Sequence, residues 1–198
     1  MSKPLLITLG VVALIVVLAF SFFGGTYNQL VSAEERVSES WSQVENVYQR
    51  RMDLIPNLVE TVKGYASHEM GAFLGVTEAR AKASQIKISS DMITDPAKLA
   101  QFQEAQGALS SAMSRLLVVM EKYPDLKANQ NFLALQTQLE GTENRITVER
   151  RRFNDMARDF NTKVRVFPNN VIAGMYGFKK KAYFEADKGA SEAPKVSF

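Results

Sequence analysis

Few side chains in this 198-residue chain are suited to catalysis or metal binding. His68 is the single histidine and Glu69 follows it, but a helix-borne zinc site needs a second histidine four residues from the first. The chain has no cysteine, which excludes disulfides, thiol nucleophiles and thiolate ligands for zinc. No glycine-rich turn between a strand and a helix exposes a serine. We therefore predict no catalytic residue, no metal site, no cofactor and no enzymatic activity.

A polar cluster on one helical segment is the strongest candidate for a binding site. Its members are Glu140, Gly141, Glu143, Asn144 and Arg145, and Glu143 falls in phase with an apolar heptad. Glycine in a helix costs about 1 kcal/mol relative to alanine. We therefore expect Gly141 to allow another backbone to approach closely.

Two interpretations of this polar cluster are open. In the first, it forms a buried network with Arg50 or Arg51 that fixes the register of the helices. In the second, residues Glu140 to Arg145 recognise a small ligand, a peptide or a partner protein. The residue types alone do not decide between them.

Apolar residues that repeat at sevens and fours predict a long first helix. The phase survives Pro56, so a continuous helix that bends near Pro56 and runs to about Ala83 is the simplest interpretation. The apolar stripe consists of Val37, Trp41, Val44, Tyr48, Ile55 and Val62.

Two further long helices follow. The string Thr94-Asp95-Pro96 supplies a cap and a proline for the first turn of the second helix, whose apolar seam has one polar member, Gln106, expected to set register or to pack as an amide. In the third helix the residues Phe132, Leu139, Ile146, Phe153 and Phe160 repeat at sevens. We predict an all-α protein, an elongated antiparallel bundle of three long helices, or four if the first breaks at Pro56.

The predicted helix lengths do not match. A helix over residues 28–83 would span about 84 Å, against about 40 Å and 60 Å for the other two. Either the chain folds back near Pro56, or the stripe that includes Trp41, Val44 and Tyr48 packs against a second copy of the chain. The second alternative predicts a homo-oligomer.

The run from Pro4 to Phe23 is uncharged and almost wholly apolar, and as a helix it would span about 30 Å, enough to cross a bilayer. Phenylalanines at positions 20, 22 and 23 occupy the place where a signal peptide would carry a small-residue cleavage site. We therefore expect a retained single-pass anchor in the inner membrane. Lys3 precedes the run and Glu34 is the first charge after it, which places the amino terminus in the cytoplasm and the bulk outside.

The remaining features complete the domain organisation. A net charge of only +3 gives no case for nucleic acid as a partner. We divide the chain into an anchor (1–26), a helical bundle (27–167) and a carboxy-terminal strap with a flexible tail (168–198). The aromatics and lysines of residues 178–184 suit either a membrane interface or a strap across the bundle end, and residues 187–198 are predicted to be disordered.

Several long strings of the sequence resemble the LemA family, and together they cover nearly all of residues 27–186. The strings are Tyr27-Asn28-Gln29-Leu30-Val31, Trp41-Ser42-Gln43-Val44, Tyr48-Gln49-Arg50-Arg51-Met52-Asp53-Leu54-Ile55-Pro56-Asn57-Leu58-Val59, Val62-Lys63-Gly64-Tyr65-Ala66, Gln138-Leu139-Glu140-Gly141-Thr142-Glu143-Asn144-Arg145-Ile146, Arg151-Arg152-Phe153-Asn154, Phe160-Asn161 and Tyr183-Phe184-Glu185-Ala186.

The resemblance implies a bacterial single-pass membrane protein with a helical bundle and no assigned enzymatic activity. Members of that family are linked to magnetosome membrane biogenesis, and others occur beside a membrane zinc protease of the heat-shock type. We therefore expect a self-associating scaffold or adaptor in envelope organisation or envelope protein quality control, whose partners are the lipid bilayer, further copies of the chain and an envelope protein such as a membrane protease. The alternative is a ligand- or peptide-binding module that uses the Glu140 to Arg145 region.

Overall fold

The computed structural model describes residues 3–66 and 68–185. All regular structure in these ranges is helical, which confirms the predicted all-α class. The predicted disorder of residues 187–198 lies outside the described residues. The helices are α1 (Lys3–Lys63), α2 (Met70–Gln85), α3 (Pro96–Met120), α4 (Pro124–Lys127), α5 (Gln130–Lys163) and α6 (Asn169–Tyr176), with a 3-10 turn at Met92–Thr94.

The first helix, α1, is one continuous helix of 61 residues. It passes through Gly24, Gly25 and Pro56 without a break, so the chain does not fold back at Pro56. The expectation that this helix runs to about Ala83 is wrong, because α1 ends at Lys63 and α2 begins at Met70. The apolar phase continued across the turn because both helices bury one face, and the periodicity therefore did not show the reversal.

Side-chain hydrogen bonds hold the turn between α1 and α2. Tyr65 Oη accepts from Asn129 Nδ2 at 2.7 Å, and Glu69 Oε1 accepts from Tyr123 Oη at 3.0 Å. The second bond raises the pKa of the Tyr123 phenol, because the carboxylate favours the protonated hydroxyl. These bonds tie the turn to the segment that joins α3 to α5.

Contacts connect α1 to α5, and residues later in α1 contact residues earlier in α5. The ring centroids of Trp41 and Phe153 are 5.3 Å apart, and Arg51 Nη1 lies 2.9 Å from Glu143 Oε1. Farther along, Tyr65 meets Asn129 just before α5 begins.

The core consists of two apolar clusters, one on either side of Arg51. The first cluster holds the aromatic residues Trp41, Tyr48, Phe102, Phe153, Phe160 and Phe184. The second cluster holds mainly aliphatic residues, among them Ile55, Leu58, Val62, Leu109, Leu116 and Leu139, with Phe73 and Phe132. Burial of each such side chain contributes about 1.5 to 3 kcal/mol relative to exposure.

The stripe that includes Trp41, Val44 and Tyr48 lies inside the first cluster. All three side chains are buried, and Tyr48 stacks edge-on against Phe102 with ring centroids 4.8 Å apart. The interpretation of this stripe as a seam to a second copy is therefore wrong, because α3, α5 and the carboxy-terminal segment cover it within one chain. The homo-oligomer remains a prediction without this seam.

Residues 179–185 cross the first cluster as a strap. Phe184 is buried and stacks on Trp41, and its backbone N–H and carbonyl bond the side chain of Asn154 at 2.9 Å each. The buried Lys181 ammonium lies 2.6 Å from Glu34 on α1. The strap thereby closes the end of the cluster near the amino-terminal apolar segment.

That apolar segment, residues 4–23, makes no packed core. All of its large apolar side chains are at least 44% exposed, and Phe20 is 83% exposed. Among the described residues, α1 is the one helix long and apolar enough to cross a membrane. The segment is thus a candidate membrane span.

The burial of the stripe predicts that Val44→Glu destabilises the single chain. An unpaired carboxylate in the first cluster should cost about 3 to 5 kcal/mol and lower the melting temperature by roughly 2 to 4 °C per kcal/mol. Circular dichroism of the detergent-solubilised protein measures the melting temperature. The matched control is Val148→Glu on the exposed face of α5, where Arg145, Arg151 and Arg152 lie one turn away. Equal melting of the two variants would contradict the burial.

Candidate functional site

The candidate site is centred on Arg51, which projects from α1 between the two core clusters. Its side chain is 2% exposed. Nη1 donates to Ser110 Oγ and to Glu143 Oε1, both at 2.9 Å, and Nη2 donates to Gln106 Oε1. The guanidinium carbon also lies 5.1 Å from the ring centroid of Tyr48. One side chain is therefore bonded to α3 and α5 at the same level, and we call this set the Arg51 layer.

Helix periodicity places these groups together. Arg51 occupies the heptad position of Val44 before it and Leu58 after it, so it points into the core in their place. Gln106 and Ser110 are four residues apart and share one face of α3. A shift of α3 by one turn would separate Gln106 from the guanidinium, so the layer fixes the register of α3 against α1.

The stability of the Arg51 layer depends on how fully the guanidinium is paired with acceptors. Desolvating a guanidinium costs several kcal/mol, which the pair with Glu143 and the bonds to Gln106 and Ser110 offset. The Glu143 side chain is 40% exposed, so the ion pair reaches the surface of the protein. Arg51 Nε is buried and has no hydrogen-bond partner among the described residues. The layer therefore stabilises one register more than it stabilises the fold in general.

The other predicted residues of the polar cluster lie outside the layer. Arg50 is exposed, because it lies 100° around the helix from Arg51. Asn144 and Arg145 are exposed, and exposed Glu140 accepts from Gln136 at 3.0 Å. The sequence contained a signal for choosing Arg51 over Arg50, namely the heptad phase of Val44 and Leu58.

The expectation for Gly141 is wrong. Gly141 is exposed, and a Cβ built on it would meet no atom within 4 Å. It lies two residues after Leu139, or 200° around the helix, and so on the opposite face from the core. No other backbone approaches closely there.

A groove opens beside the Arg51 layer, between α3 and α5. Its volume is about 440 Å³, within the range of small-molecule sites. Leu117 and Leu139 contribute apolar surface, and two carboxylates, Glu140 and Glu143, contribute negative charge. The lining residues are Ser110, Met113, Ser114, Leu117, Gln136, Leu139, Glu140, Glu143 and Asn144.

The residues first considered for catalysis do not converge. His68 is exposed, and Glu69 is bonded to Tyr123 in the turn after α1. Across residues 3–66 and 68–185, no three or more His, Asp or Glu side chains come together as metal ligands. Sequence reasoning missed Ser110, whose only signal was its spacing of four from Gln106.

Comparison with known proteins gives a consistent set of relatives. The model of the LemA family matches residues 40–198. Magnetosome protein MamQ 2 of Paramagnetospirillum magneticum is 26% identical over 191 residues, which cover 86% of this chain and 68% of the relative. Protein LemA of Metamycoplasma hominis is 27% identical over 165 residues, 83% of this chain and 71% of the relative. Magnetosome protein MamQ of Magnetospirillum gryphiswaldense is 25% identical over 187 residues, which cover 86% of this chain and 68% of the relative.

The Arg51 layer predicts strong coupling between Arg51 and Gln106. Arg51→Met leaves the buried Gln106 amide unpaired, and Gln106→Leu removes the side-chain acceptor of Arg51 Nη2, so each should cost about 1 to 3 kcal/mol. The double variant should cost less than the sum by about 1 kcal/mol or more, measured by urea unfolding. Arg50→Met, one residue away and exposed, is the control and should stay within about 0.5 kcal/mol of the parent. Additive costs in the double variant would refute a shared layer.

Proposed function

This chain belongs to the LemA family, and we propose that it acts as a membrane-anchored helical scaffold or adaptor in the bacterial envelope. The observation that carries the proposal is the continuity of α1, which joins the apolar segment to the core as a single helix. A helix without a break sets how far the bundle lies from the membrane. A fixed distance from the membrane suits a scaffold that positions a partner.

The proposed anchor is residues 4–23, a single pass of the inner membrane. Its exposed apolar side chains support this placement, since lipid covers such a surface at no cost in unsatisfied polar groups. We propose that the amino terminus lies in the cytoplasm and the bundle outside, following Lys3 and the acidic Glu34 and Glu35.

Beyond the anchor we propose one elongated antiparallel bundle. The opposed contacts between α1 and α5 support it. From Thr26 to Lys63, α1 would extend about 57 Å from the membrane, so a partner that binds the bundle would be held within that distance of the lipid surface. The partner class we propose is an envelope protein, for example a membrane protease, and not a nucleic acid.

Relatives named as magnetosome proteins make envelope organisation the first role to test, and quality control of envelope proteins the second. We propose no enzymatic activity and no cofactor. Self-association is retained as a prediction, and its surface would have to lie outside the buried stripe of Trp41, Val44 and Tyr48.

One experiment tests orientation and adaptor role together. Because the natural chain has no cysteine, Ser111→Cys on the exposed face of α3 creates a single thiol. A membrane-impermeant maleimide reagent that carries a photoreactive group should label this thiol in intact spheroplasts. Illumination should then crosslink the bundle to an envelope protein, identified by mass spectrometry.

The control is Ser2→Cys, before the apolar segment. This thiol should react only after lysis, and it should remain on the chain in carbonate-washed membranes if the anchor is retained. Labelling of Ser111→Cys only after lysis would reverse the orientation. Crosslinks to lipid alone, in repeated preparations, would reject the adaptor role.

A second candidate function is favoured by the groove beside the Arg51 layer. Its apolar surface and two carboxylates suit a small amphipathic cation or a basic peptide. The binding module predicted for Glu140 to Arg145 would use this groove, with Glu140 and Glu143 as the charged groups.

This candidate is tested by filling the groove. Ser114→Trp places an indole within it, whereas Ser111→Trp on the same helix lies outside it. If the groove binds a ligand, a thermal shift found by screening amphipathic cations and basic peptides should disappear in Ser114→Trp and persist in Ser111→Trp. A shift that persists in both would place binding elsewhere.

A further inference from the structure

An uncharged segment follows α5, and much of its apolar surface is uncovered. Residues 166–178 contain no charged side chain and include α6. Ile172 and Ala173 are buried against the first cluster, whereas Val171 and Met175 are 50% and 69% exposed. Phe167, just before α6, is 82% exposed. The segment therefore uses one part of its apolar surface as core and leaves the rest without a partner in the described residues.

The position of α6 along α1 is fixed by contacts just beyond the apolar run. The Tyr27 ring centroid lies 4.6 Å from that of Tyr176 and 5.9 Å from that of Phe178. Thr26 is only 7% exposed, in contrast to the residues before it. The apolar run ends at Phe23, so Thr26 and Tyr27 lie about 4.5 and 6 Å farther along the helix axis. The headgroup region on each side of a bilayer is about 5 to 7 Å thick.

The charged side chains that flank this segment in the chain have one sign. Between Asp159 and Glu185 the sequence has no acidic residue. Arg165 on one side and Lys179 and Lys180 on the other are exposed. Glu34 on α1 is nearby, but its carboxylate is paired with the buried Lys181. It is therefore already engaged and does not pair with Arg165, Lys179 or Lys180.

We propose that α6 and Phe167 form a second membrane contact, in which Phe167, Val171, Met175 and Tyr176 enter the headgroup region of the leaflet from which α1 emerges. Arg165, Lys179 and Lys180 bind the anionic headgroups around them. This inference rests on the proposed membrane span of α1. Lipid is the occupant because α1 carries this surface to the depth of the headgroups and because the basic rim complements anionic lipid.

A second contact point has a mechanical consequence. A single helix leaves the tilt of the bundle to the bilayer, whereas a second apolar contact beside it restricts the tilt and the rotation about α1. The bundle would then present one defined side to its partners. Aromatic and basic residues together are the types that anchor proteins at this depth.

The test uses the full-length chain with single cysteines, each labelled with an environment-sensitive fluorophore. Met175→Cys reports on α6, Val118→Cys on α3 is the control at matched exposure (65%), and Leu14→Cys reports on the anchor. The proteins are reconstituted in vesicles of phosphatidylcholine and phosphatidylglycerol that contain nitroxide-labelled lipid. We expect a shallow nitroxide to quench Met175→Cys at least about twofold more than Val118→Cys, because only α6 lies at headgroup depth.

The outcomes separate the two proposals. Quenching of Leu14→Cys by a deep nitroxide, with Met175→Cys quenched no more than Val118→Cys, would overturn the second contact and leave the anchor intact. No quenching of Leu14→Cys would reject the membrane span itself. A blue-shifted but unquenched label at Met175→Cys would mean that protein, such as a second copy, covers α6, and would also overturn the inference.

The basic rim is tested separately in the Met175→Cys background. Lys179→Gln combined with Lys180→Gln should reduce the shallow quenching in vesicles with phosphatidylglycerol, by about twofold, and leave it unchanged in vesicles of phosphatidylcholine alone. Both lysines are exposed, so circular dichroism should show the parent's helix content. Unchanged quenching in the anionic vesicles would remove the headgroup recognition from the proposal.

Discussion

The buried guanidinium of Arg51 is the constraint on which the arrangement of the long helices depends. It lies between an aromatic cluster and an aliphatic one, and its bonds to Gln106, Ser110 and Glu143 tie α1 to α3 and α5 at one level. Apolar contacts alone tolerate sliding by a turn, because one heptad position resembles the next. A charge that finds its acceptors at only one level does not tolerate it. The two clusters can therefore form only in the register that the layer selects.

A second ion pair with a buried cation lies at the other end of the aromatic cluster. Lys181 pairs with Glu34, and the side chains of Asn154 and Asn161 bond the backbone of the strap at Phe184 and Lys181. These contacts hold the carboxy-terminal segment against α1 and α5, close to the apolar segment. The same attachment positions α6 beside Tyr27. One set of polar contacts thus fixes the position of the strap and, with it, the position of the exposed α6 surface.

The placement of the aromatic stripe changes where partners should be sought. Trp41, Val44 and Tyr48 are enclosed by their own chain, so an oligomer or a client cannot use them without unfolding the first cluster. The surfaces that remain are the groove between α3 and α5, the exposed faces of the long helices and α6. Of these described surfaces, α6 lies next to the candidate membrane span, where we propose that lipid covers it.

Sequence periodicity and composition alone determined the helical class and the candidate membrane span, and local turn chemistry determined the Asp95 cap of α3, which accepts from the Ala97 and Lys98 amides. The family resemblance came from long matching strings of the sequence. The heptads also identified most of the buried residues. The 200° offset of Gly141 from Leu139 already placed it on the exposed face, so its exposure was readable from the sequence. Periodicity reports which face of a helix is buried but not what covers it, and so the chain reversal after Lys63 and the intramolecular cover of Trp41 were missed. These features depend on how segments far apart in sequence meet. The heptad phase already favoured Arg51 over Arg50, whereas only the packed helices bring Gln106, Ser110 and Glu143 to its guanidinium.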